Sequence, residues 1–381
     1  MSRLNRYYLA PDLVITYPDG QPQLILPSVK RTFKVDWKVC EIISMFSSED
    51  TSLQPIFSES MVTNIIDHLV KNGILIDKET DHNLAIEQIV AEWQDWDESS
   101  WFLHLQTKDT KFETTEEGRL QSVEKFRKIT SPPPQYFKCN CTSSSIKLPT
   151  SSKLLDQTLV NSFMQRRTCR RFSEKPISLQ NLADVLFYSG GILFTNDTHS
   201  YGIVAKKPSP SPGGRHATEL YPIVNACEGL RSGVYHYCQK HHALHLIEAE
   251  EDVKPFLNEV LYGQDYFLNA AVTVFYTSVL ERLKWKYKTS RVYRLMHLET
   301  GHYAQNFLLT GAALDLGGFV TAAFKDSVIE EKLGVCGIRE VAMYVSGIGH
   351  IVPDETTRSD IEYAQVLPEG IEIRLPIGEH S

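Results

Sequence analysis

The chain has 381 residues, 42% hydrophobic and 23% charged, with a formal net charge of −8. That describes a globular protein of two domains, or of one large domain with an extension. The acidic balance argues against general nucleic-acid binding, and no apolar run approaches a membrane span. The N-terminus Met1-Ser-Arg-Leu-Asn-Arg lacks the apolar stretch of a secretory signal. Seven scattered cysteines read as reduced thiols in a cytoplasmic protein. Cys139 and Cys141 are close together, but Cys-x-Cys without a second pair is a poor zinc signal, and no metal is expected.

In chain order, Leu13–Tyr17 and Leu24–Leu26 flank Pro18-Asp-Gly-Gln and predict a β-hairpin. Asp36 is placed to cap a helix whose apolar stripe is Val39, Ile42, Ile43 and Phe46. A second helix is predicted over Glu59–Lys71, ended by Asn72-Gly73, with Ile74–Asp77 returning as a strand. This order resembles a small winged-helix domain over residues 1–80. Its second helix carries Asp67, His68 and Lys71, too nearly neutral to read DNA. The layout also resembles peptide-recognition domains of ribosomal-peptide modification systems, which capture a leader peptide along a strand edge. A scaffold or dimerisation role is the alternative. Residues 81–151 hold a helix rich in tryptophan and then a Pro/Ser-rich linker. Trp93, Trp96 and Trp101 are expected to be packing anchors between domains.

Residues 152–351 carry the chemistry, and 352–381 read as an extended tail. Lys153–Gln165 is an amphipathic helix that ends in Arg166-Arg-Thr-Cys-Arg-Arg-Phe. Guanidinium forks around a hydroxyl suit a phosphate; a solvated basic turn is the alternative. Ser178 caps the next helix, and Gly190-Gly191 ends it. Lys207-Pro-Ser-Pro-Ser-Pro-Gly-Gly-Arg-His is a turn-rich loop feeding a strand over Leu220–Cys227. Its glycines permit backbone conformations closed to other residues and a close approach to a ligand. Gly233–Tyr237 and Ala243–Ile247 form a hairpin. The histidines at 236, 241, 242 and 245 read as cross-strand surface pairs, since no cysteine or carboxylate completes a metal set. Ala270–Leu280 is a buried central strand, and a long helix from Tyr293 to Leu316 contains Gly301 and Gly311, which permit close approach of another helix or a ring.

Arg166–Phe172 resembles the RRSxRxF signature of the FMN-binding nitroreductase superfamily. Within it, five stretches in order resemble the SagB-type azoline dehydrogenases. They are Ser211–Pro222, Gly233–Tyr237, Lys286-Tyr287 through Arg294, Gly301–Asn306, and the closing strand to Gly347. The resemblance covers roughly residues 153–350. It implies an α+β fold, a mixed sheet flanked by helices, in an obligate homodimer with FMN at the interface. It implies that Arg166, Thr168 and Arg170 hold the phosphate and ribityl chain, with Arg167 contributing mainly backbone. Ser211, Gly213 and Gly214 are implied to contact the flavin, with Pro212 standing where the family often has alanine. Thr321–Phe324 are implied to line the ring from the far side. Lys286 and Tyr287 are implied to be the acid–base pair, without deciding which is the base.

The reaction implied is dehydrogenation of a thiazoline or oxazoline to an azole in a ribosomally made precursor peptide. A separate cyclodehydratase would form the ring, because the chain shows no ATP-binding glycine loop. Dioxygen is the expected electron acceptor. Two other expectations stand beside it: a nitroreductase-type enzyme on another substrate, and a flavin- or peptide-binding accessory subunit without catalysis.

Overall fold

The computed structural model describes residues 6–46, 57–78, 84–110, 115–128, 132–150, 158–198 and 202–352. The tail expected over 352–381 lies outside these residues except for Val352, and so does the start of the helix expected from Lys153. The chain divides into two compact units, Met1–Phe112 with Thr289–Arg291, and Glu113–Lys288 with Val292–Ser381.

In the first unit, β1 (Tyr7–Leu9) pairs with β5 (Leu75–Asp77), and β2 (Val14–Thr16), β3 (Gln23–Leu26) and β4 (Arg31–Lys34) form an antiparallel sheet. The turn between β2 and β3 places Asp19 and Gly20 at positive φ, which suits an Asp-Gly pair. Helices α1 (Trp37–Ser44) and α2 (Glu59–Lys71) pack Ile42, Ile43, Ile66 and Leu69 against Leu24 and Leu26. The Asp36 carboxylate accepts the Val39 N–H at 3.1 Å, the cap its position predicts. Two further helices, α3 (Leu84–Glu92) and α4 (Asp97–Thr107), bring Trp93 against Trp96 and His104. Trp101 is buried, whereas Trp96 is 65% exposed.

The second unit opens with α5 (Glu116–Arg127), β6 (Ile146–Lys147), α6 (Leu159–Gln165) and α7 (Leu179–Gly190). There follow β7 (Phe194–Asp197), β8 (Ile203–Lys206), β9 (Thr218–Val224), β10 (Gly233–Cys238), β11 (Ala243–Ala249), α8 (Lys254–Val260), β12 (Val272–Val279) and α9 (Leu280–Lys286). It closes with α10 (Val292–Ala313), β13 (Gly317–Thr321), α11 (Asp326–Leu333) and β14 (Glu340–Gly349). Seven strands form one sheet in the order β13-β14-β12-β9-β10-β11-β6.

The sheet is not the mixed one expected. Every strand pair in it is antiparallel. Parallel pairing among the described residues is confined to single bridges, Thr168 to Gly318 and Ile177 to Cys227. The β10–β11 hairpin needs only a tight turn, which antiparallel neighbours allow.

Both sheet faces are covered. Along β12, Val272, Val274 and Tyr276 join the core under α7 and α10, while Phe275 joins the core under α8 and α11. Period-two alternation sends successive side chains to opposite layers, and each fully buried large apolar side chain contributes roughly 1.5–3 kcal/mol. This double burial is why β12 reads as a continuous apolar run. Gly311 lies close to Ile348 of β14 rather than to a helix, and Gly301 faces open space.

Candidate active site around the Gly213 turn

The loop between β8 and β9 is fixed from below by buried polar groups. The Ser211 hydroxyl donates to Glu299 Oε2 at 2.7 Å and accepts the His216 N–H at 2.7 Å. Glu299, fully buried on α10, also accepts the Thr218 N–H at 2.9 Å. Ser211 therefore braces the turn through its hydroxyl. His216 has φ of 47°. Its Nε2 lies 2.9 Å from the Ala205 carbonyl, which can only accept, so Nε2 carries the proton. Burial, with the Lys207 charge, pushes His216 down to about 3, so the ring is neutral.

Pro212–Gly214 form a single 3-10 turn. Gly213 and Gly214 have φ of 61° and 65°, conformations that cost a side-chain-bearing residue roughly 1–2 kcal/mol. At Gly213 a Cβ would also collide with the Tyr287 hydroxyl, and it would stand 2.8 Å from Lys286 Nζ. The turn and the Lys-Tyr pair are thus packed as one unit, although 73 residues separate Gly213 from Lys286. Lys286 Nζ donates to the Gly213 carbonyl at 3.3 Å. The pair sits where α9 ends, and the Tyr287 N–H closes that helix onto Leu283 at 2.8 Å. Burial, reinforced by the Arg215 guanidinium, pushes the Lys286 ammonium below its usual range.

Behind the turn lies a network that sequence reasoning missed. Glu219, fully buried, binds Arg282 at 2.6 Å and His236 at 2.9 Å, and accepts the Lys138 N–H at 2.9 Å. Arg282 also donates to the His216 carbonyl at 2.7 Å, tying β9, α9 and the loop together. Burial pushes Lys207 down to about 7, and its ammonium is held by Gln239 and the Tyr136 carbonyl. The available signal was a charge inside an apolar run, as at Glu219 in β9 and Glu299 in α10. His236 was expected at the surface; it is 0% exposed, because β10 is covered on both faces. It does stand opposite His245 in register.

The arginine turn is positioned by a different strand. Arg166 caps the end of α6. Thr168 bridges to Gly318 at the edge strand β13, and the Cys169 N–H donates to the Gly318 carbonyl at 2.8 Å. Arg166 and Arg167 are half-buried, with Arg167 donating to the Arg166 carbonyl at 2.8 Å, while Thr168 and Arg170 are exposed. A cavity of about 390 Å³ lies between α6, α7, α10 and Pro208, within the usual ligand-site range of about 300–1,000 Å³. Of the residues expected to line a ring from the far side, Ala322 and Ala323 are exposed. Phe324 is turned into the core, edge-on to Phe275.

A sheet covered by helices on both faces, with a cationic turn on its edge and a Lys-Tyr pair against a glycine turn, makes this unit an α+β fold. The sequence profile of the nitroreductase family matches residues 163–350. MJ1384 of Methanocaldococcus jannaschii, named as a nitroreductase, is 30% identical over 191 residues, 50% of this chain and 89% of its own length. The chain belongs to the nitroreductase family. It is also 29% identical over 170 residues to the trifolitoxin-processing protein TfxB of Rhizobium leguminosarum bv. trifolii, spanning 44% of this chain but only 46% of TfxB. Among solved structures, a nitroreductase-named protein of Ralstonia eutropha aligns with a TM-score of 0.46 at 20% identity, over 58% of this chain and 95% of that one. A chain of the E. coli microcin synthetase McbBCD complex with truncated pro-MccB17 aligns with a TM-score of 0.42 at 17% identity, over 72% and 100%. No helix among the described residues is long and apolar enough to cross a membrane.

Proposed function

We propose that this protein is an FMN-dependent oxidoreductase that dehydrogenates azoline rings to azoles in a ribosomally made, post-translationally modified peptide. The observation that carries the reading is Lys286-Tyr287 packed on the Gly213 turn, with the lysine's charged form disfavoured by burial and by Arg215. The name of TfxB as a toxin-processing protein supports a peptide substrate.

The residues present fit a flavin mononucleotide. Gly213 and Gly214 keep the turn free of side chains where it meets Lys286, Tyr287 and Val204. Arg166, Thr168 and Arg170 supply cations and a hydroxyl for the phosphate and ribityl chain, with two of the three exposed. When bound, FMN supplies a two-electron acceptor for hydride. The protein's own part is the proton. Aromatising an azoline removes a proton as well as a hydride, and a neutral Lys286 amine can accept it. Tyr287 stands beside that amine to relay the proton or, as phenolate, to take it.

The test is turnover of a thiazoline-containing peptide by the FMN-loaded enzyme, read by mass spectrometry as the loss of two hydrogens per ring. Lys286→Ala and Tyr287→Phe are each expected to lower turnover by about 10²–10⁴-fold, the usual contribution of a general base, while keeping FMN. Turnover left intact by both substitutions would sink the mechanism. A colourless protein that takes up no FMN would sink the flavoenzyme reading altogether. Reduction of small acceptors by NAD(P)H without peptide oxidation would favour an ordinary nitroreductase activity.

A further inference from the structure

Two segments far apart in sequence meet beside the β10–β11 turn. Cys139 and Cys141 lie in the extended segment ahead of β6, Cys238 ends β10, and His241 lies in the turn before β11. The four ligand atoms all lie within 4.8 Å of one another. His241 Nδ1 stands 3.4 Å from Cys139 Sγ and 3.6 Å from Cys238 Sγ. In a tetrahedral zinc site, bonds of about 2.3 Å to sulfur and about 2.0 Å to nitrogen make each S···N edge about 3.5 Å. A single thiol–imidazole hydrogen bond accounts for one such distance. It does not account for two thiols converging on the same ring nitrogen with a third thiol beside them.

We propose that Cys139, Cys141, Cys238 and His241 form a structural Cys3His site for one Zn2+. Three thiolates and an imidazole match the ligand preference of zinc, and four protein ligands close the tetrahedron, leaving no open position for catalysis. Cys238 and His241 are three residues apart across a tight turn, and His242 adopts φ of 47° as the chain leaves it. Binding releases the thiol protons to solvent and moves no electrons.

The site ties the segment ahead of β6 to the hairpin. That segment carries Lys138, whose Nζ bonds Glu340 at 2.7 Å and Tyr221 at 2.8 Å. It also carries Pro134, whose carbonyl accepts from Arg215 at 2.9 Å. Arg215 in turn acts on Lys286. The metal would therefore hold in place the backbone that positions a neighbour of the candidate base.

The full chain, purified under reducing conditions without added metal, is expected to carry about one zinc per chain by elemental mass spectrometry. Replacing zinc by Co2+ is expected to give a thiolate charge-transfer band and the intense visible bands of a tetrahedral ion. Cys139→Ser and His241→Ala are each expected to lose most of the metal. Cys336→Ser, at an exposed cysteine outside the group, is expected to keep it. Chelation should lower the melting temperature, and added Zn2+ should restore it. If a variant fails to fold, the cobalt spectrum of the unsubstituted chain decides alone: a weak octahedral spectrum overturns the proposal. Free thiols with no bound metal, or a disulfide among the three cysteines under the same conditions, overturn it too.

Discussion

Glu219 shows how one buried charge organises a site. Burial alone pushes its carboxyl up, but Arg282, His236 and Lys207 more than offset that and hold it down at about 2. A carboxyl depressed from its usual 4.5 stabilises the fold fully above that value, and the contribution is lost as pH falls toward 2. Glu219→Gln leaves Arg282 buried without its counter-charge, which costs about 3–5 kcal/mol at neutral pH. Urea melts across pH should show that deficit at pH 7 and a much smaller one near pH 3. An equal deficit at both pH values would mean that Glu219 is not held ionised. None of its three partners was legible in the sequence. Arg282 stands 63 residues away and His236 stands 17 away, and no local pattern announces contacts made across a sheet.

Helices were the easier elements to read, because caps and stripes are local. The Ser178 hydroxyl accepts the Asn181 N–H at 3.1 Å, and α7 runs from the next residue as expected. Strand ends were harder: β9 stops at Val224, three residues short of the expected end. There the Asn225 and Ala226 N–H groups both turn to the Ala271 carbonyl. Helix α6 is the element least at rest in one chain. Leu159, Val160, Phe163 and Met164 are all at least half-exposed, an apolar density that monomer surfaces avoid. We propose that a second copy covers it, in keeping with the homodimer implied by the sequence resemblance. Phe163→Glu should then shift the protein from dimer to monomer in light scattering. Unchanged mass would place the dimer contact elsewhere or exclude it.

At the scale of the whole molecule, the first unit offers an open strand. β4 is an edge of its three-stranded sheet. A cavity of about 270 Å³ beside it is lined by Phe33, Val35, Val39, Ile65, Leu69 and others. An edge strand beside an apolar cavity suits an added peptide strand with anchoring side chains, and we propose that this unit binds a leader peptide there. Val39→Asp puts a carboxylate into that cavity. It should weaken binding of the precursor's leader peptide at least about tenfold, roughly 1.4 kcal/mol, with FMN occupancy unchanged. Equal loss of both would make the unit a scaffold. The sequence by itself determined helices α1, α2, α7 and most of α10, because their caps and apolar stripes are written in residues adjacent along the chain, whereas α5, α8, α9 and α11 went unread. The tertiary structure alone decided that Lys286 lies on Gly213, that Ser211 braces the turn through Glu299, and that two cysteines before β6 meet a cysteine and a histidine of the hairpin. Those contacts join residues dozens of positions apart, and their energy comes from burial and charge pairing that exist only once the sheet has closed.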